Sequence, residues 1–336
     1  MSERLQNKAQ LADGPGRLTS RTGNLLHRYR GLLAIAGLLI LPIVVNQPYY
    51  REIIGLIFLW SAMAGAWNIV GGYAGKFSLG HAAFFGVGAY TSAVLYTRLG
   101  VSPWIGILAG MVISVLLALF IGVVTLRLKG KFIALVYLRS ITGGSEGLSI
   151  PFKPGLLNLT FSSKLVWVYI FCGLMLSVYG ISRWLERSKL GYELIALRED
   201  EDAAEALGVN TLWAKLASIS LSAALTSLGG SLFAQYFAWL EPNFCLSLGL
   251  SIQFALFAII GGMGTAIGPI LGAALITPLQ IFLRAFGGTA TSGLSMAVYG
   301  LILILVVLFM PKGIVVEVGD RLRQMFGRGR FRPIPS

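Results

Sequence analysis

Acidic side chains are scarce in this sequence. Only fourteen Asp and Glu stand against 27 Lys and Arg in 336 residues, a formal net charge of +13. Seven of the fourteen fall in one polar segment, residues 183–215, while Glu52, Glu146 and Glu241 fall at loops beside apolar runs. With no carboxylate deep in a run, a stand-alone proton-driven transporter is disfavoured, because such pumps carry buried acids. Histidine and cysteine are rarer still, two of each. Cys172 and Cys245 are far apart in or beside apolar runs, so small core residues are a better reading than a disulfide or a metal pair. Nucleophile–base and metal-ligand constellations are absent too. No catalytic residue, metal or cofactor is expected, and a membrane-embedded enzyme is disfavoured. The nearest approach to a phosphate-binding loop, "GGYAGKFS", has Val70 where its first glycine belongs and Phe77 where Ser or Thr must follow the lysine. If ATP is used, another chain binds it.

What the sequence does have is apolar length. Apolar residues make up 56% and charged residues 12%, against about 25% charged in a soluble domain. Mean hydropathy is +0.76. The expected fold class is all-α, a polytopic transmembrane helical bundle embedded in the lipid bilayer. The basic excess does not point to nucleic acid, because the charges sit at the ends of the apolar runs, as the positive-inside rule places them.

Runs free of Asp, Glu, Lys and Arg cover residues 31–50, 53–75, 77–97, 99–126, 165–182, 216–240, 242–283 and 285–311. A span takes about 20 apolar residues, so each run holds one and 242–283 holds two, divided at "GGMGTAIGP" (261–269). Nine clear spans are expected, within a membrane domain at 31–316. It is flanked by basic tails at 1–30 and 317–336, both assigned to the cytoplasm, the first read as an uncleaved tail. Counting crossings inward from the two ends leaves Lys131 inside and Lys164 outside. A tenth crossing, fifth in order, must lie between them, yet its apolar part, Phe132–Leu138, rises only about 10 Å as a helix against a core of about 30 Å.

Two glycine-dense segments interrupt the spans. "IVGGYAGKFSLGHAAFFGVGAY" holds Gly71, Gly72, Gly75, Gly80 and His81, and "IIGGMGTAIGPILGAA" holds Gly261, Gly262 and Gly264. Broken helices in corresponding places of two halves point to a substrate pathway between them. Plain close packing through small residues is the other reading. His81 likewise reads as hydrogen-bonded structure or as an intramembrane relay.

The segment "RWLERSKLGYELIALREDEDAAEALGVNTLWAK" (183–215) carries the acids. Clustered in the first turn of a short helix, they suit its positive N-terminal end, and Gly208 is a plausible stop. Ala203, Ala206 and Leu207 fall at helical spacing on one small apolar face. The segment reads either as a solvated loop or as a handle for a partner protein.

These stretches, with "LRLKGKF", "SITGGSEGLSIP" and "YGLILILVVLFMPKGI", resemble the LivM-type permease family, the membrane subunits of ABC importers for branched-chain amino acids. The resemblance runs from about Ile53 to Val316. It implies a bacterial inner-membrane subunit, paired with a second homologous permease, two cytoplasmic ABC ATPase subunits and a periplasmic substrate-binding protein. It implies that Asp202–Gly208 lies in the coupling helix, with Glu199, Asp202, Ala203, Ala204, Glu205, Leu207 and Gly208 as residues coupling to the ATPase. It also implies that the fifth span is shortened between Val136 and Ser140 by roughly fifteen to twenty residues, close to a full crossing. Either the short version crosses with its basic ends snorkelling, or the permease is internally deleted and impaired in transport. Related members carry urea and short amides, so the solute stays open.

Overall fold

The computed structural model describes residues 37–125, 147–151 and 154–287, together with Gly300 and Gly313. The chain divides into two units, Met1–Gln47 and Pro48–Ser336. In the first, residues 37–44 are helical; every element below belongs to the second.

Helix α1 (Pro48–Asn68) runs on into a single π turn at Ile69–Tyr73. It is followed by α2 (His81–Leu99) and α3 (Pro103–Thr125). Beyond residues 126–146 come a two-residue strand β1 (Leu148–Ser149) and α4 (Lys164–Leu185). The polar segment folds as α5 (Lys189–Glu199) and α6 (Glu201–Ala206). Then come α7 (Thr211–Phe237), β2 (Trp239–Leu240), the short α8 (Pro242–Cys245), α9 (Leu248–Gly262) and α10 (Gly268–Gly287).

Among the described residues, four helices are long and apolar enough to cross a membrane: Pro48–Tyr73, Pro103–Gly122, Lys164–Leu185 and Thr211–Phe237. This is fewer than the nine clear spans expected. The run at 31–50 is divided, because helix ends at 44 and a new one begins at Pro48. The run at 285–311 falls almost wholly outside the described residues. Helix α9 has only 15 residues. Helix α2 is long enough, but His81, Arg98 and its Gly, Ser, Thr and Tyr residues lower its mean hydropathy below that of these four. It is sheathed by other helices along most of its length.

Burial separates centre from edge. The α1 span is 78% buried and the α3 span 28%. Helix α7 lies along α2 and α3, while α1 packs on α4, α9 and α10. Small residues bring α2 and α7 into backbone contact, as membrane helices require. A Cβ on Gly88 would sit 2.1 Å from the Ser227 carbonyl, and one on Gly230 would sit 2.0 Å from that of Phe85. Ser231 Oγ donates to the Gly88 carbonyl at 2.9 Å across the same seam. Around it Trp60, Phe85, Phe233 and Phe254 form one aromatic core with ring centres 5.2–6.4 Å apart.

Exposed aromatics mark the two ends. Trp184 and Trp213 stand at the end carrying α5 and α6; Tyr49, Tyr50, Trp104 and Trp239 stand at the other. Amphipathic rings settle at headgroup level, the level these two sets would occupy in a bilayer. At the second end β1 pairs antiparallel with β2, Ser102 and Trp104 donate to the carbonyls of Leu157 and Leu156, and Lys164 bridges Glu52 at 2.5 Å. Helix α3 finishes at the first end, where a Cβ on Gly122 would meet the Leu216 side chain at 2.6 Å. The described residues flanking 126–146 therefore lie at opposite ends of the bundle, as the charge parity demanded. The shortened span itself, at 136–140, lies outside the described residues.

Candidate functional site

Both glycine-dense segments and the acidic segment converge at the α5–α6 end. Asn68, one residue before the π turn, is fully buried. Its Nδ2 donates to the Thr265 carbonyl at 3.0 Å and its Oδ1 accepts from the Gly264 amide at 2.9 Å. One side chain thus joins the first break to the second. The contact leaves no room: a Cβ on Gly72 would lie 1.9 Å from Asn68 Oδ1 and 2.5 Å from the Gly264 nitrogen. Gly71 is pressed on the Trp67 ring, and a Cβ on Gly261 would lie 1.8 Å from the Gly268 carbonyl. Gly262 has φ +126°, open in practice only to glycine, and Gly313, from the "PKGI" stretch, sits against it. Gly80 differs, with φ −88° and no crowding neighbour.

His81 is enclosed at the start of α2. Ser222 Oγ donates to the Ala66 carbonyl at 2.6 Å, so it accepts from His81 Nε2 at 2.7 Å. His81 Nδ1 is then free to accept from Ser78 Oγ at 2.9 Å. Both ring nitrogens are used up in stapling α2 to α7 and, through Ser222, to α1. His81→Leu is expected to cost about 1–2 kcal/mol of stability, read as a lower melting temperature in detergent. An unchanged melting temperature would remove the staple role.

The acidic helix is one turn and a half long. Asp200 caps it, Oδ1 accepting from the Ala203 amide at 3.0 Å. Glu201 and Asp202 occupy its first turn, and Gly208 follows at φ +85°. Ala204 is the residue turned inward; Ala203, Ala206 and Leu207 are exposed, Leu207 at 84%. Glu199 and Asp202 are exposed beside them, and Glu205 accepts from Thr211 Oγ1 at 2.5 Å, tying the helix to the start of α7. A cleft of about 350 Å³ lined by Lys189, Leu190, Glu193, Asn210 and Trp213 opens nearby.

The residues that hold this helix to the bundle are ones the sequence reading passed over. Glu201 pairs with Lys76 at 2.8 Å, in the loop after the first break, and with Lys215 on α7. Hydrogen bonds from Lys215 and then Lys76 hold its carboxyl below the usual carboxylate range. Its folded pKa being depressed, the linkage is in place at neutral pH and is lost only as pH falls through that lowered value. Arg198 Nη1 donates to the Gly72 carbonyl at 2.9 Å. Glu186 Oε1 accepts from the Tyr73 hydroxyl at 2.9 Å and from the Ala266 amide at 3.0 Å. The available signal was Asn68, an amide inside an otherwise apolar run; Glu186 and Arg198 were hidden among many surface charges.

Comparison with known proteins identifies the family. The LivM permease of the high-affinity branched-chain amino acid transport system of Salmonella typhimurium is 29% identical over 301 residues, 78% of this chain and 69% of that one. LivM of Escherichia coli is 27% identical over 316 residues, 83% and 73%. The nucleoside ABC transporter permease protein NupC of Lactococcus lactis is 27% identical over 306 residues, 81% and 93%. No solved structure matches the chain. The pattern of the branched-chain amino acid transport system permease component covers residues 49–307, and the chain, a multi-pass membrane protein, belongs to that family.

Proposed function

We propose that this chain is one permease subunit of an ABC importer for branched-chain or related small amino acids in a bacterial inner membrane. It forms the translocation pathway with a second homologous permease. A periplasmic substrate-binding protein delivers the solute, and two cytoplasmic ATPase subunits supply the work. Residues 183–215 and both termini face the cytoplasm. Nine spans and a shortened tenth, between Lys131 and Lys164, thread the membrane in this reading.

One observation carries the reading. A short capped helix stands at the bundle end with Ala203, Ala206 and Leu207 uncovered, while Glu201 and Glu205 bind its base to the spans. An uncovered apolar turn rimmed by acids fits a partner's groove, and the rigid base lets movement of that partner reach the membrane. ATP binding closes the ATPases, draws the coupling helices together and shifts the permease pair between outward-facing and inward-facing states. The glycines at 71, 72, 75, 80, 261, 262 and 264, with His81, shape the inner mouth of the pathway in this scheme.

Orientation is the direct test. Cys172 and Cys245 are buried and the background is low. An Asp202→Cys variant is expected to react with a membrane-impermeant maleimide only from the cytoplasmic side, and a Leu157→Cys variant only from outside. Labelling of position 202 from the exterior of intact cells would overturn the assignment. Purified with its ATPases in proteoliposomes, the complex should take up leucine with ATP and binding protein. Uptake of adenosine instead would move the solute to the nucleoside class.

A further inference from the structure

We infer that Glu186 and Arg198 are positioning residues for transport, forming a clamp that makes the acidic segment and both glycine breaks move as one body. The inference rests on the coupling role proposed for residues 183–215. Glu186 ends α4 with three bonds to its carboxylate. Oε1 holds the Tyr73 hydroxyl, from the last residue of the π turn, and the Ala266 amide, from the loop between α9 and α10. Oε2 holds Arg183 at 2.6 Å. One carboxylate therefore grips both breaks at once. Arg198, near the end of α5, adds the second grip at the Gly72 carbonyl. A Cβ on Gly75 would lie 2.7 Å from its Cγ and one on Gly264 would lie 2.8 Å from its Nη1. Its side chain is thus wedged between the same two segments.

The consequence is mechanical. Asn68 ties the breaks to each other and Lys76 pairs the first with Glu201; Glu186 and Arg198 tie the segment that carries α6 to both breaks together. A π turn has loosened backbone pairing and tends to occur where helices change shape. The carbonyl of Gly72 lies inside that turn, so Arg198 pulls on the most deformable part of the α1 span. Displacement of α6 by a partner then reaches the inner ends of α1, α9 and α10 together. Without the clamp, α6 would still dock and would stay tied to Lys76 and α7, but its displacement would no longer reach the two breaks together.

The experiment uses the complete transporter in proteoliposomes and reads two numbers: ATP hydrolysed and leucine taken up. Glu186→Ala combined with Arg198→Ala is expected to keep ATPase co-purification and to hydrolyse ATP within about twofold of wild type. Leucine carried per ATP should fall about tenfold. Glu186→Gln keeps an oxygen that accepts from both Tyr73 and Ala266, and should hold the ratio within about threefold. A structural defect alone would lower hydrolysis and uptake together. If the double variant fails to assemble, Tyr73→Phe removes one hydroxyl and carries the test, with the ratio expected to drop about threefold. An unchanged ratio in the double variant, or in Tyr73→Phe where that is the variant measured, overturns the clamp, as does a fall of hydrolysis and uptake in the same proportion in the assembled complex. If the wild-type complex shows no ATP-dependent uptake at all, the coupling reading fails instead.

Discussion

Gly72→Leu is expected to reach the membrane in normal amount and to carry almost no solute. Insertion follows hydropathy and flanking charge, and a leucine here only raises the hydropathy of the α1 span. Packing is another matter. The first carbon of any side chain at position 72 would overlap Asn68 Oδ1 and the Gly264 nitrogen. To relieve it, Asn68 must release Gly264 and Thr265, both of which it now holds. Overpacking costs about 1–3 kcal/mol, and two buried hydrogen bonds add about 1 kcal/mol each. The two breaks should separate, and uptake should fall at least about tenfold. Gly72→Ala is expected to lose nearly as much, since the clash is with Cβ and not with bulk. Gly262→Leu should behave like Gly72→Leu for a different reason, a φ of +126°. Membrane abundance by immunoblot and leucine uptake by the same cells check all three. Wild-type uptake by Gly72→Leu would show that contact between the breaks is dispensable.

Leu207→Glu should produce the other large effect, by a route that leaves the bundle intact. At 84% exposure the side chain supports nothing within the chain, so the variant should fold and melt as wild type does. Against an ATPase groove it would be one of the few apolar groups α6 offers. Loss of such an anchor typically costs about 2 kcal/mol or more, which is about thirtyfold in affinity, and a buried carboxylate adds a desolvation penalty. Co-purification with the ATPases should disappear and uptake with it, and deletion of Asp202–Gly208 should match. Retention of the ATPases by Leu207→Glu would place the docking surface elsewhere, the cleft beside Trp213 being the next region to test.

The two variants divide what was legible from what was not. The acidic helix could be read in one dimension: acids in the first turn and a glycine stop are local chemistry, and the helix appears at Glu201–Ala206. Its orientation could not. Ala203, Ala206 and Leu207 are all exposed, and Ala204, about a quarter turn round the helix from them, is the residue that packs inward. The break at 261–269 was equally local, and α9 and α10 end and begin within it. Span counting did less well where a charge-free run holds a shorter helix, as α9 with its 15 residues shows.

The sequence by itself determined that this protein is a helical membrane bundle and where its helices break, and its flanking charges call for one more crossing between Lys131 and Lys164. Each of these follows from hydropathy, glycine density and flanking charge, properties summed along a short stretch of chain. Only the tertiary structure decided that the two breaks touch through Asn68, that His81 is spent as a staple, and that Glu186, Arg198 and Glu201 fasten the acidic segment to the spans. Those contacts join residues up to 197 positions apart. A polar side chain in one segment carries no mark of which backbone amide or carbonyl it will meet, because that choice is made by packing of the whole bundle.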